Sequence, residues 1–270
     1  MMRSQQPTRI LFTALLVIVV IFLYAPLFHP IFVAATETAP GDGDLQLTFE
    51  RFATMFDNRM VLPSLRNSAI AAVSTAIVTP VLALLAALAV RHFTFKRTIL
   101  LIMIVPLFIP GVTMGLASAL FLKMLGVASS MATIVLVHVV WALPFAFLII
   151  LTVMADFKTV YLEAAHMSGA NRWRAFVDIE LPLIRPGLVG AAIFSGIISF
   201  NETIRTTMVQ GANNTIQTYI WSQFQQVGLS PAMFALMASL ILITMGLIVV
   251  MLLLFSRQGA PENAAAAQAN

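Results

Sequence analysis

The chain has 270 residues, of which 60% are hydrophobic and only 10% charged, and its formal net charge is +4 with no cysteine. This composition excludes a soluble globular domain, and the lack of cysteine excludes a disulfide framework and any thiolate metal site. The mean hydropathy of +0.96 and the long uncharged apolar runs predict an all-α polytopic membrane protein. No basic cluster accompanies the excess positive charge, so nucleic acid is not a predicted partner.

The apolar runs predict six transmembrane helices. In chain order they cover residues about 10–34, 67–90, 99–122, 131–154, 187–207 and 231–255, and together they form a transmembrane domain of residues 10–255. Residues 1–9 form a short N-terminal segment, residues 155–186 a central loop, and the alanine-rich tail of residues 256–270 is expected to be disordered. The first run is too long for a signal-peptide core of roughly 7–15 residues, so we expect an uncleaved first span.

The distribution of lysine and arginine predicts the orientation of the spans. With the N-terminus in the cytoplasm, ten basic residues lie on the cytoplasmic side and four outside, while Arg205 lies within the fifth span. The cytoplasmic set is Arg3, Arg9, Arg91, Lys96, Arg97, Lys158, Arg172, Arg174, Arg185 and Arg257, and the outer set is Arg51, Arg59, Arg66 and Lys123. Both termini and the central loop are therefore predicted to be cytoplasmic.

The central loop has the pattern of two short helices joined by a turn. Residues 161–168 contain no helix breaker, Gly169 is suited to end a helix, and Asn171 is a good N-cap for the next one. A largely apolar face follows, formed by Trp173, Phe176, Val177 and Glu180 at helical spacing. Pro182 is predicted to end the second helix, because proline has no amide proton to donate.

These residues resemble the EAA loop of permease subunits of bacterial binding-protein-dependent ABC importers. The fixed positions are Glu163, Ala164, Ala165, Gly169, Ile179, Leu181 and Pro182, and these residues together with Ala170 are the predicted ATPase-coupling residues. The resemblance implies a type I ABC importer permease (MetI-like) fold, in which the loop forms coupling helices that enter a groove on a separate ATPase subunit. It also implies that Glu163 anchors the first coupling helix and that Gly169 permits the bend between the two. Composition alone leaves another interpretation, an amphipathic loop that rests on lipid headgroups.

Weaker similarity covers most of the chain. Pro110-x4-Gly115, the pair His138 and Pro144, the Ser199–Glu202 turn and the segment 215–221 resemble the spermidine/putrescine subfamily, of the PotC-like second-permease type. The resemblance implies a heteromeric importer of the bacterial inner membrane. Its expected partners are an ATPase dimer that binds ATP and Mg²⁺, a second homologous permease, favoured as a heterodimer, a periplasmic substrate-binding protein and the lipid bilayer.

Catalytic motifs are missing from the sequence. No G-x-x-x-x-G-K-[ST] stretch is present to hold the phosphates of ATP, and neither H-E-x-x-H nor G-x-S-x-G occurs. His138 is the single histidine expected at membrane depth, and no serine is singled out as its nucleophile. We therefore predict a non-enzymatic chain that binds no cofactor and no metal of its own.

The fifth span carries a polar group that is unusual for a membrane helix. Glu202 and Arg205 are three residues apart and are expected to share one helical face. A charge facing lipid at a helix centre costs roughly 2.5–3.5 kcal/mol, so this face should point into the protein. His138, Asn201, Glu202 and Arg205 are the candidates for the translocation path, with a purely structural ion pair as the alternative.

The resemblance implies a polyamine-like organic cation as the solute, because Glu202 lies where that subfamily carries acidic residues. Arg205 departs from this pattern, since a cation beside a polyamine path is unfavourable unless Glu202 neutralises it. An opine, an amino-phosphonate or another zwitterion or anion is the alternative solute. From a different class, a stand-alone secondary carrier or channel is the alternative function.

Overall fold

The computed structural model describes residues 6–38, 45–228 and 230–258, and these residues are predominantly helical. They fall into two compact units. The first comprises residues up to 59 together with 223–245, and the second comprises residues 60–222 together with those from 246 onward. The predictions made for residues 1–5 and for most of the tail, 259–270, lie outside the described residues.

The first unit begins with helix α1, Gln6–Ala35. A short antiparallel pair of strands follows, β1 (Thr36–Thr38) and β2 (Leu45–Leu47), and then helix α2, Glu50–Thr54. Arg51 links α2 to the end of α1 and to β1, because its Nη1 donates to the backbone carbonyls of Val33 and Thr36.

Three long helices form the centre of the second unit. They are α3 (Val61–His92), α6 (Met131–Ala155) and α9 (Leu181–Phe200), and each packs against the other two. The buried face of α3 carries small residues at helical spacing, which allows close approach of neighbouring helices. These residues are Ser64, Ser68, Ala71, Thr75, Thr79, Ala83 and Ala87.

The predicted third span is a bent pair of helices rather than one rod. Helix α4 (Lys96–Ile104) leads through a 3₁₀ turn, Val105–Phe108, to helix α5 (Gly111–Met124), and the chain bends by 106° between them. Pro106 and Pro110 lie in this break, where their missing amide protons interrupt the ladder of backbone hydrogen bonds. Within the described ranges, five helices are long and apolar enough to cross a membrane, or six when the bent pair counts as one span.

The helix that contains the predicted fifth span differs from the prediction at both ends. A helical stretch that begins at Arg172 continues to Phe200, and residues 201–203 then break it before helix α10, Ile204–Val209. The helix that contains the predicted fifth span therefore starts earlier than residue 187 and ends before Glu202. The disorder predicted for residues 256–258 is also wrong, because they belong to the last helix, α12 (Pro231–Gln258).

The segment after α10 is held against the first turns of α3. The side-chain amide of Asn67 donates to the carbonyl of Asn214 at 2.9 Å. The hydroxyl of Ser68 accepts a hydrogen bond of 2.8 Å from the backbone N–H of Ile216, the first residue of helix α11 (Ile216–Gln226). Two residues near the start of α3 thus fix the course of the chain between α10 and α11.

Candidate coupling loop and buried polar cluster

The first loop helix, α7 (Val160–Met167), ends in a turn that requires glycine. Gly169 has a φ of 85°, a left-handed conformation that strains any residue with a Cβ. Its N–H donates to the carbonyl of His166, and the N–H of Ala170 donates to that of Ala165, both at 3.0 Å. Together these two bonds form a Schellman motif, which satisfies carbonyls at the helix end. The predicted role of Gly169 as a helix terminator is confirmed.

The second loop helix begins as predicted but does not end as predicted. Asn171 caps α8 (Arg172–Ala175), since its Oδ1 accepts from the N–H of Arg174 at 2.8 Å. A π-helical turn, Phe176–Glu180, then leads directly into α9. Pro182 lies in the first turn of α9 and does not stop the helix. The π turn before Pro182 changes the hydrogen-bond pattern there. The N–H of Leu181 donates to the carbonyl of Phe176, five residues back, instead of four as in an α-helix.

Half of the EAA-type residues line one hollow between the two loop helices. It has a volume of about 440 Å³, and four of its lining residues are Ala164, Ala165, Ala170 and Ile179. Small side chains at the alanine positions leave this space open. Glu163 is exposed, and so are two large apolar side chains of the same loop, Met167 at 90% and Trp173 at 71%.

A buried ion pair lies where the loop joins α9. The two guanidinium nitrogens of Arg91, in the last turn of α3, contact the two carboxylate oxygens of Glu180 at 2.6 and 2.8 Å. Glu180 is only 2% exposed. The sequence analysis placed Glu180 on the apolar face of the loop helix and missed this pairing. The available signal was that carboxylate itself, because a charge on an apolar face needs a partner.

The predicted pairing of Glu202 with Arg205 is present, but in a turn rather than on a helical face. One carboxylate oxygen of Glu202 accepts from the backbone N–H of Arg205 at 2.9 Å, and the other accepts from its Nη1 at 2.8 Å. Glu202 is 8% exposed and Arg205 is 6% exposed. The guanidinium also stacks on Trp141, with its central carbon 3.6 Å from the ring centroid. Both charges are therefore satisfied within the chain.

The approach of α5 to this ion pair depends on a glycine. A Cβ on Gly115 would lie 3.1 Å from the Cα of Arg205 and 3.1 Å from the Cγ of Met208, so a larger residue would push α5 and α10 apart. Nearby, the Nε of Arg205 lies 3.4 Å from the sulfur of Met114. Helices α5, α6 and α10 thus enclose the guanidinium, and sequence analysis identified neither Trp141 nor Met114 as its neighbours.

His138 is fully buried and connects α6 to both sides of the Glu202 turn. Its Nδ1 lies 2.7 Å from the hydroxyl of Ser199, and its Nε2 lies 2.7 Å from that of Thr206. The Thr206 hydroxyl donates to the carbonyl of Glu202 at 3.0 Å, so it accepts from Nε2–H. In the neutral imidazole the proton therefore lies on Nε2, and Nδ1 accepts from the hydroxyl of Ser199.

Asn201 stands apart from the other three path candidates. It is exposed, its side-chain nitrogen donates to the carbonyl of Ile197 at 2.9 Å, and its oxygen accepts from Gln217 at 3.4 Å. His138, Glu202 and Arg205 instead form one buried cluster, which we call the polar cluster. The structure therefore brings three of the four predicted path residues together and leaves the fourth at the surface.

Comparison with known proteins finds relatives among transport permeases. Among curated relatives, a diacetylchitobiose uptake system permease protein of Streptomyces coelicolor is 29% identical over 57% of this chain and 52% of its own length. A spermidine/putrescine transport system permease protein, PotC of Haemophilus influenzae, is 23% identical over 84% of this chain and 91% of its own. The chain therefore matches only about half the length of the first of these relatives.

A solved structure shares the fold. A chain of a bacterial ABC transporter involved in the import of the acidic polysaccharide alginate superposes with a TM-score of 0.70 at 15% identity, covering 95% of this chain and 98% of that one. The predicted type I importer-permease fold is thereby confirmed. Residues 79–258 match the family model described as binding-protein-dependent transport system inner membrane component. The chain belongs to this family of multi-pass inner-membrane transport proteins.

Proposed function

We propose that this chain is the non-catalytic permease subunit of an ATP-driven importer and that it engages a separate ATPase through residues 155–186. The observation that carries the proposal is the exposed surface of the loop. A capped helix–turn–helix presents Met167, Trp173 and the carboxylate of Glu163 outside the membrane spans. Large exposed apolar side chains on an ordered element are typical of a protein-binding surface.

The proposed assembly follows from the family and from the charge distribution. The family description includes a binding protein, which supports delivery of the solute by a periplasmic protein. The excess of basic residues beside the loop supports a cytoplasmic location for residues 155–186 and for both termini in the bacterial plasma membrane. We further propose that an ATPase dimer and a second homologous permease, as a heterodimer, complete the importer.

Reversing the charge of Glu163 tests the ATPase contact. In Glu163→Lys we expect the ATPase subunit to be lost on purification and solute uptake to fall to background, because a lysine replaces the carboxylate proposed to anchor the loop. Uptake is measured in cells that lack the wild-type copy, and co-purification is measured through a tag on the permease.

The control is Glu50→Lys, the same charge change at an exposed position of the first unit, which should behave as wild type. Normal uptake and normal co-purification in Glu163→Lys would contradict the proposal. Gradient-driven flux through the chain alone in proteoliposomes would instead support a stand-alone carrier or channel.

For the solute, we propose a polyamine-like organic cation as the first class to test. The match to the spermidine/putrescine permease covers 84% of this chain, against 57% for the diacetylchitobiose permease. A specific observation favours the alternative class of zwitterions and anions. Both oxygens of Glu202 are taken by Arg205, so this carboxylate is not free to bind an ammonium group.

The solute class is tested on the periplasmic binding protein that serves this importer. Calorimetric titration with spermidine, putrescine, an opine, an amino-phosphonate and diacetylchitobiose should give tight binding for a polyamine and no heat for the others. Binding of an opine or a phosphonate with no response to polyamines would transfer the assignment to the alternative class. Binding of the sugar alone would exclude both classes.

A further inference from the structure

The ion pair between Arg91 and Glu180 is unusual for its burial and its geometry. Nη2 of Arg91 donates to Oε2 of Glu180 at 2.8 Å, and Nη1 lies 2.6 Å from Oε1, so two contacts fix the relative orientation of the side chains as well as their distance. The side chain of Glu180 is 3% exposed and that of Arg91 is 27% exposed. A carboxylate this deeply buried depends on the cation beside it, so the pair holds two separate elements in one arrangement.

Arg91 and Glu180 lie where the central loop, α3 and α9 meet. Glu180 is the last residue of the π turn, and the helix continues without a break from the loop into α9. Arg91 is in the last turn of α3, the longest helix of the second unit. The loop is therefore attached to α9 through the backbone and to α3 through side chains.

Helix α3 reaches from this junction to the opposite end of the unit. Its 32 residues correspond to about 48 Å at 1.5 Å per residue. Near its start, Asn67 and Ser68 hold the backbone of Asn214 and Ile216. One continuous helix thus has a polar attachment near each end, to the loop at one end and to the segment after α10 at the other.

We propose that Arg91 and Glu180 are positioning residues that make α3 move with the coupling loop, so that movement of the loop reaches residues 212–216 at the far end. This proposal rests on the proposed function, because it needs an ATPase that moves the loop. The pair is distinct from the contact surface around Glu163, and neither Arg91 nor a salt bridge belongs to the EAA-type pattern. Its loss should separate ATP hydrolysis from transport rather than prevent assembly.

The test uses the complete importer with its ATPase and binding protein in proteoliposomes. In Glu180→Gln and in Arg91→Gln, we expect the amount of solute transported per ATP hydrolysed to fall on the order of tenfold, while ATP hydrolysis stays within about threefold of wild type. The charge-swapped double variant, Arg91→Glu with Glu180→Arg, should recover most of the lost ratio because it restores the pair. Arg97→Gln, which removes an exposed charge at the same end of the unit, is the control.

A second measurement follows the movement itself. The chain has no cysteine, so Ala212→Cys introduces a single thiol at an exposed position beside the attached segment. Its rate of labelling by a maleimide should change on addition of ATP in the otherwise wild-type importer and should be insensitive to ATP in Glu180→Gln.

Three results would overturn the proposal: wild-type transport per ATP in both single variants, a parallel loss of hydrolysis and transport, or no recovery in the charge-swapped variant. Because the charge-swapped variant keeps the pair, it remains informative even where a single variant fails to assemble. Normal uptake in Glu163→Lys would be a failure of the proposed function instead. A block in Glu163→Lys with an unchanged ratio in Glu180→Gln would remove only the inference about the ion pair.

Discussion

Replacing Gly169 by valine should lower solute uptake on the order of tenfold, whereas the same replacement at Gly126 should leave uptake near the wild-type level. Gly169 has a φ of 85° and Gly126 a φ of 71°, so both changes strain the backbone. The cost is about 1–2 kcal/mol for a left-handed residue with a side chain. A Cβ at either position meets no atom within 4 Å, so steric clashes do not contribute. The difference between the two variants therefore reports the importance of the loop turn.

A graded series at Gly169 separates backbone strain from other effects. Asparagine tolerates the left-handed conformation better than alanine, and valine tolerates it least, so uptake should decrease in the order Gly, Asn, Ala, Val. Initial uptake rates are compared at equal amounts of permease in the membrane. Equal uptake across the series, or an equal loss in Gly126→Val, would contradict the role assigned to this turn.

Removing the guanidinium of Arg205 should destabilise the protein more than any other single change in the polar cluster. In Arg205→Met, the carboxylate of Glu202 stays 8% exposed in the native arrangement but loses its cation. Breaking a buried pair in this way costs about 3–5 kcal/mol, which corresponds to a fall in Tm on the order of 10 °C. Fluorescence during heating in detergent measures the effect, because Trp141 lies directly against the guanidinium.

The double variant Arg205→Met with Glu202→Gln should regain most of the lost stability, since it buries no unpaired charge. Asn201→Ala, at the exposed neighbouring position, is the matched control and should leave the Tm unchanged. An unchanged Tm in Arg205→Met would show that the ion pair contributes nothing to the fold. A stable double variant with altered solute uptake would favour a place for the pair on the translocation path over a purely structural role.

The local features of the central loop could be predicted from the sequence. The turn at Gly169 and the cap at Asn171 depend on residues a few positions away, and their hydrogen bonds form within one turn of the chain. The apolar spans were recognisable for a similar reason, because each is a continuous property of its own segment. These predictions needed no knowledge of which helices pack together.

The features that were not predicted depend on contacts and backbone geometry outside the segment in which each residue lies. Pro182 is a reliable helix breaker only where the helix keeps α geometry, and the π turn before it removes the conflict. The stacking of Arg205 on Trp141 and the bond between Arg91 and Glu180 join residues 64 and 89 positions apart. Nothing in the spacing of a single sequence selects these partners from the other charged and aromatic residues.

The π turn at Phe176–Glu180 has a consequence for how the two helical parts are aligned. A π turn holds about one residue more than an α turn, and one residue corresponds to about 100° of rotation about a helix axis. The extra residue therefore sets the rotation, about the helix axis, of the loop surface proposed to meet the ATPase relative to the side of α9 that packs against other helices. Insertions or deletions in this stretch would turn one surface away from its target while leaving every side chain of both surfaces intact.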